Sequence, residues 1–170
     1  EIGKLNQPTI LSTGMSTMKE VSRALKTLTG SGLNKKKITL LQCNTEYPSP
    51  LKDANINVMV EMKNKFKVKV GYSDHTSSHE SALAAVALGA TIIEKHFTLN
   101  KSYDGPDHAA SILPEELKEL IKLSKNVKLS LGSRIKKPTN SEKKNIELFK
   151  KKIFSSKIIK KGEIFSSDNL

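Results

Sequence analysis

Residues 68–97 read VKVGYSDHTSSHESALAAVALGATIIEKHF. Two short β-branched apolar runs, 68–70 and 91–93, enclose a stretch, 81–88, that is almost wholly apolar. Such runs read as buried parallel strands, and the stretch between them as the helix that connects them. A helix apolar all round predicts that both of its sides are covered. Each strand is followed at once by polar residues: Ser73-Asp74-His75 after the first and Glu94-Lys95-His96 after the second.

The same unit recurs on the N-terminal side. Apolar runs at 8–11 and 38–41 are followed by Ser12-Thr13-Gly14 and Cys43-Asn44-Thr45. Thr17 and Glu20 form a capping-box pair that opens a helix with Val21, Leu25 and Leu28 on one face, and Gly30 and Gly32 end it. Gly30-Ser31-Gly32 follows a helix, not a strand, so it is a helix stop and not a phosphate loop. Residues 54–66 read as a second helix, with Ile56, Met59 and Val60 apolar. Pro114 opens a further helix at the favoured first-turn position, with Leu117, Leu120, Ile121 and Val127 following. The pattern βαβαβαβα predicts an α/β fold with a parallel sheet. Half of an eight-fold barrel and a small open sheet both fit it. Residues 132–147 are polar, basic and without period, which predicts a linker. Beyond it, the apolar pairs Ile153-Phe154 and Ile158-Ile159, the turn Lys160-Lys161-Gly162 and the pair Ile164-Phe165 suggest the start of a small β-rich domain.

Composition sets the outer limits. A chain of 170 residues with 36% hydrophobic and 27% charged residues is globular in type. Its first residue is Glu1 and its last resemble the opening of another element, so both ends look cut. No apolar run approaches the roughly 20 residues of a membrane span. A single cysteine, Cys43, rules out an internal disulfide and fits the cytoplasm. The net charge is +12. Residues 1–114 carry 14 Lys/Arg against 10 Asp/Glu, and residues 115–170 carry 15 against 7. The excess is lysine without interleaved aromatics, which reads as solvated surface; a nucleic-acid face would use arginine and stacking rings. Neither nucleic acid nor membrane is an expected partner.

All four polar clusters fall at the C-terminal ends of strands, where barrels and open α/β sheets alike bind ligands. His75 and His96 follow consecutive strands, 21 residues apart, and can point into one cleft. Two neutral imidazoles near Asp74, Glu94 and Asp107 make a site for a divalent metal; a hydrogen-bonded histidine pair without metal is the other reading. His79 reads as a cap-region residue, and His108, beside Asp107, could line the site. Tyr47-Pro48-Ser49-Pro50 is a rigid loop that could place the Tyr47 ring over a substrate. Lys95 is the one lysine flanked by an apolar strand. Its alternation with Glu94 and His96 points it outward, which argues against a Schiff-base lyase.

Ile10-Leu11-Ser12-Thr13-Gly14-Met15, Gly71-Tyr72-Ser73-Asp74-His75-Thr76, Glu94-Lys95-His96-Phe97-Thr98 and Gly105-Pro106-Asp107-His108 resemble, in order and spacing, the motifs of sialic acid synthases. These enzymes make N-acetylneuraminate, legionaminate or pseudaminate, and the likeness runs from about Gln7 to the end. The last residues, from Lys160-Lys161-Gly162-Glu163 to Ser167-Asp168-Asn169-Leu170, resemble the opening of the family's antifreeze-like SAF domain.

The resemblance implies the C-terminal half of a (β/α)8 TIM barrel over residues 1–131, the linker, and a truncated SAF domain from 148 to 170. It implies condensation of phosphoenolpyruvate with an N-acetylmannosamine-type aldehyde, or another N-acylated hexosamine, in a domain-swapped homodimer. His75 and His96 match metal-binding histidines, with Mn²⁺ the expected ion and Mg²⁺ or Co²⁺ alternatives. Ser12 and Ser73 match hydroxyls that hold phosphoenolpyruvate. Tyr47, Glu94 and Asp107 match residues lining the sugar and metal site, with Glu94 positioning the aldehyde. Some members have Thr-Asn where this chain has Asn44-Thr45, so the asparagine's contact falls on Thr45. The competing readings are an aldolase on the same barrel and an inactive fragment or lysine-rich binding module.

Overall fold

The four apolar runs become four strands of one parallel sheet: β1 (Thr9–Ser12), β2 (Ile38–Cys43), β3 (Lys69–Asp74) and β4 (Ile93–Lys95). The computed structural model describes residues 1–170. Strand order is β1-β2-β3-β4, with no reversal. Five helices accompany the sheet: α1 (Ile2–Leu5), α2 (Met18–Gly30), α3 (Asn57–Phe66), α4 (Glu80–Ala87) and α5 (Pro114–Ser130).

One face of the sheet carries Leu11, Ile38, Leu40, Val70, Tyr72 and Ile93, packed against Val21 and Leu25 of α2, Met59, Met62 and Phe66 of α3, and Ala85 of α4. Ile38 and Leu40 are fully buried there, each contributing about 1.5–3 kcal/mol. Right-handed crossovers in sequential strand order put successive helices on the same side. An open doubly wound sheet would instead reverse its strand order and cover both faces. This sheet is therefore a curved piece of barrel wall, and the choice left open by the hydrophobic pattern falls to the half-barrel.

The other face is the inner one. Across it the register places Ser12 beside Leu41 and Leu41 beside Gly71, and one row further on Cys43, Ser73 and Glu94. Leu41 is fully buried because its side chain lies over Gly71, where a Cβ would come within 2.6 Å of Leu41 Cδ2 and of the Ile92 carbonyl oxygen. Ile10, on the edge strand, is 53% exposed on this face.

Local structure follows the punctuation of the sequence, with three differences. The capping box is present: the Thr17 N–H donates to Glu20 Oε2 at 2.7 Å, and the Glu20 N–H to Thr17 Oγ1. Gly32, at φ 109, gives α2 its left-handed stop. The helix expected over 54–66 begins only at Asn57. A 3-10 turn, Leu51–Asp53, precedes it, and Asn55, left-handed at φ 47, breaks the two apart. The helix expected to be covered on both sides is covered on one. Ser81, Ala82 and Ala85 are buried against the sheet and α5, but Ala84, Ala87 and Leu88 face outward.

The third difference lies in the second compact unit, Ser133–Leu170. The first unit, Glu1–Gly132, holds the whole sheet. Within the stretch read as a linker, Thr139 and Glu142 form a capping box that starts α6 (Lys143–Phe149), so helix replaces the expected aperiodic chain across its end. The apolar pairs beyond form no strand. Ile153, Phe154, Ile158, Ile164 and Phe165 are exposed; a strand needs a partner ladder, and these short runs find none among themselves. What orders the segment is Asn169, 3% exposed, whose amide donates to the Ile164 carbonyl and whose Oδ1 accepts from the Ser166 N–H. The turn at Lys160-Lys161-Gly162 forms as read.

Candidate active site

The C-terminal ends of β3 and β4 carry two side chains each toward the inner face, because side chains alternate along a strand. Ser73 and His75 come from β3 and its exit; Glu94 and His96 come from β4 and its exit. Ser73 and Glu94 are cross-strand partners, and Ser73 Oγ donates to Glu94 Oε1 at 2.7 Å. The His75 and His96 rings meet edge to face, with centroids 5.1 Å apart. The Tyr47 ring, delivered by the loop after β2, lies 4.3 Å from His75 and 5.2 Å from His96. Three rings from three successive strand ends therefore form one cluster, with the Ser73–Glu94 pair at its base.

The protonation of His75 follows from its neighbours. Nδ1 faces the Asn44 carbonyl oxygen, which can only accept, so Nδ1 carries the proton. Nε2 lies 3.3 Å from Ser73 Oγ, but the single serine proton goes to the Glu94 carboxylate. In the neutral ring the Nε2 lone pair is left uncommitted. That is the state an imidazole needs to bind a metal, with the tautomer set by a backbone carbonyl. His96 Nδ1 stands 3.6 Å from Asp107 Oδ2, beyond hydrogen-bond range. Two adjoining imidazoles suit a divalent ion of borderline softness. No group of three or more His, Cys, Asp or Glu side chains is arranged to hold one. The fit is thus partial: these residues offer two ligands.

The remaining candidates sit around this cluster at varied distance from it. Ser12 is exposed on the inner face of β1. Thr45 is exposed after β2, and its methyl packs where a Cβ on Gly14 would stand, so the loops after β1 and β2 touch. Asn44 is an organiser of its loop: its Oδ1 accepts from the Glu46 N–H and from Ser49 Oγ. Asp107 keeps a half-exposed carboxylate beside His96. His108 turns away from the rings, paired through Nδ1 with Thr98 Oγ1 at 2.7 Å and packed against Tyr103. His79 occupies the N-cap position of α4 without a side-chain capping bond, and its Nδ1 is buried with no partner.

One expected carboxylate is not part of the cluster. Asp74 points to the helix side of the sheet and is fully buried, with Lys95 Nζ 2.8 Å from its Oδ2. Lys95 points away from the site as its alternation predicts, but into this ion pair and not into solvent. Its Nζ also donates to the carbonyls of Thr76 and Ser78. An ammonium with all three protons committed is no nucleophile, which removes Lys95 as a Schiff-base lysine. Burial, with the Asp74 carboxylate beside it, pushes the neighbouring Tyr72 phenol up to about 12. Sequence reasoning missed this network, although the period-two spacing of Asp74 and Lys95 between the site residues was its signal.

Comparison with known proteins adds a frame. The sequence profile described as the NeuB family matches residues 1–136. The N,N'-diacetyllegionaminic acid synthase of Campylobacter jejuni is 50% identical over all 170 residues, which cover 51% of that protein. The enzyme of the same name from Legionella pneumophila is 39% identical over 166 residues, 96% of this chain and 46% of that one. The crystal structure of the N-acetylneuraminic acid (sialic acid) synthetase from Leptospira borgpetersenii, in complex with citrate, superposes with a TM-score of 0.72 at 35% identity, covering 82% of this chain and 48% of that one. The chain spans about half the length of the curated relatives it matches.

Proposed function

We propose, for a chain that belongs to the NeuB family of sialic, legionaminic and pseudaminic acid synthases, that it carries half of an active site joining phosphoenolpyruvate to an N-acylated hexosamine aldehyde. The supporting observation is the cluster of Tyr47, His75 and His96 over the Ser73–Glu94 pair. In this reading His75 and His96 would hold a divalent ion, Mn²⁺ first and Mg²⁺ or Co²⁺ as alternatives. When bound, that ion would supply Lewis acidity toward the aldehyde oxygen. Glu94, anchored by Ser73, orients the aldehyde. Ser12 and Thr45 donate hydroxyl protons to phosphoenolpyruvate, and Ser73, whose one proton is held by Glu94, lies beside it. Tyr47 and Asp107 flank the sugar. Carbon–carbon bond formation joins C3 of the enol to the aldehyde carbon, water adds at C2, and phosphate leaves with the enol oxygen. Holding both reactants against fixed groups supplies most of the advantage, since it replaces a bimolecular encounter.

Two of the relatives are named for a diacetylated product. On that ground an aldehyde with two acetamido groups comes first as acceptor and N-acetylmannosamine second. Residues 148–170 would then begin a small SAF domain, and the protein would act as a homodimer. The experiment is phosphate release from phosphoenolpyruvate by the whole natural protein, with Mn²⁺ and each of the two sugars. We expect turnover with at least one sugar, abolished by His96→Ala together with weakened Mn²⁺ binding. No phosphate release with either sugar would end the synthase reading, and unchanged metal affinity in the His96→Ala variant would end the metal assignment.

A further inference from the structure

The β3–β4 ladder ends one residue short of both histidines. Its last rung pairs Asp74 with Lys95. Beyond it the two chains part: the His75 carbonyl accepts from the Ser49 N–H, and the His96 carbonyl from the Ile112 N–H. No backbone bond links the two imidazole-bearing residues to each other. β4 is only three residues long and lies at the edge of the sheet. The last rung is therefore the nearest point at which the two strands are joined to each other.

That rung is closed by charge. Lys95 Nζ lies 2.8 Å from Asp74 Oδ2, with the two side chains 6% and 0% exposed. The other carboxylate oxygen accepts from the Thr76 N–H, from Thr76 Oγ1 and from Ser81 Oγ, all within 2.9 Å. The ammonium in turn holds the carbonyls of Thr76 and Ser78. So one buried pair ties the end of β3, the loop leaving it, the start of α4 and the end of β4. His75 lies between two residues of this network, Asp74 and Thr76, and His96 directly follows Lys95. We infer that the Asp74–Lys95 pair is the positioning device of the candidate site, setting the separation and orientation of His75 and His96 from the opposite face of the sheet. The polar residues at these strand ends then divide by period two: Ser73, His75, Glu94 and His96 face the ligands, while Asp74 and Lys95 hold them in register. The Asp74 and Lys95 side chains are buried against each other, away from the face that carries the rings. Supporting partners of this kind change metal affinity by about 10–100-fold when removed. The inference rests on the proposed metal site for its effect on affinity, but not for its effect on ring geometry.

The test uses the whole natural protein with ¹⁵N-labelled histidine, free of added metal, in three forms: wild type, Lys95→Met and Lys95→Arg. The wild type should show His75 in the Nδ1–H tautomer. Lys95→Met removes the charge, and we expect a mixed or altered His75 tautomer and shifted His96 signals. Lys95→Arg keeps the charge but seats a broader, planar group, so a folded protein with smaller shifts in the same signals is expected. Mn²⁺ titration of the same samples should show affinity falling about 10–100-fold for Lys95→Met and less for Lys95→Arg. Lys118→Met, at an exposed pair with Glu115, serves as the control and should leave both readouts unchanged. Wild-type histidine signals in a folded Lys95→Met protein overturn the inference. If Lys95→Met does not fold, wild-type signals in Lys95→Arg overturn it equally. A wild type that binds no Mn²⁺ counts against the metal reading alone, since the tautomer measurement still decides the positioning role.

Discussion

Replacing Gly71 by alanine should unseat the strand that carries Ser73 and His75. A Cβ at this position would stand 2.6 Å from the Ile92 carbonyl oxygen, 2.6 Å from Leu41 Cδ2 and 3.1 Å from Ile92 Cβ. Ordinary carbon contacts need about 3.5–4.0 Å, so roughly 1 Å of room is missing on two sides. Leu41 could relieve the contact only by turning a side chain that is fully buried. The Ile92 carbonyl accepts from the Tyr72 N–H at 3.0 Å, so moving it costs a rung of the β3–β4 ladder. Overpacking of this kind costs roughly 1–3 kcal/mol. Gly30→Ala is the matched control: nothing lies within 4 Å of its added Cβ, and it sits at the end of a helix, where alanine gains up to about 1 kcal/mol. The same chemical change should therefore lower the urea midpoint at Gly71 and leave it unchanged or raise it at Gly30. Displacing β3 from β4 also separates Ser73 from Glu94, so turnover should fall in Gly71→Ala and not in Gly30→Ala. A Gly71→Ala protein within about 0.5 kcal/mol of the wild type would refute the argument that Leu41 and β4 close over this position.

Two further outcomes are expected. The Glu116 carboxyl is held below its usual range by the Leu113 N–H it accepts from and then by Lys101. A carboxyl with a depressed folded pKa contributes stability above its unfolded value, and that contribution is lost as pH falls through the folded one. Glu116→Gln should therefore lower thermal stability at neutral pH and flatten its further loss below about pH 4.5; a neutral-pH stability and an acid limb both identical to the wild type would count against the cap. Asp107→Asn should raise the KM for the sugar more than that for phosphoenolpyruvate, because the carboxylate stands half-exposed beside His96 in a loop reaching over the site. A rise confined to phosphoenolpyruvate would give Asp107 a different ligand.

The features legible in the sequence were those set by local chemistry. Thr17 and Glu20 announce a capping box, Pro114 a first turn, and the β-branched runs the strands, because each acts within a few residues. The convergence of His75 and His96 was legible too, since both follow strands and parallel strands deliver their ends to one edge. Features decided by a distant partner were not. That α4 has an open outer side depends on what packs there, not on its own eight residues. Asn55 broke the helix expected from residue 54 by adopting a left-handed conformation that composition does not announce. Asp74 was read as a site carboxylate because it neighbours His75, when neighbours along a strand face opposite ways. Counting by two from His75 would have put it with Lys95.

The charge on the two faces of the sheet bears on what the site needs. On the inner face the strand-end residues are Ser12, Cys43, Ser73, Glu94 and the two histidines, with Tyr47 and Asp107 above them. The ionised groups in that set are carboxylates. Lys95, the cation nearest in sequence, is committed to Asp74 on the other face. Phosphoenolpyruvate brings a phosphate and a carboxylate, and desolvating both without cations costs several kcal/mol. A divalent ion on His75 and His96 would offset part of that charge, but it would be shared with the aldehyde oxygen. If the proposed reaction is correct, lysine or arginine side chains from outside this inner row must face its hydroxyls. The open edge of β1, where Ile10 and Ser12 are exposed, is where such residues have access to it.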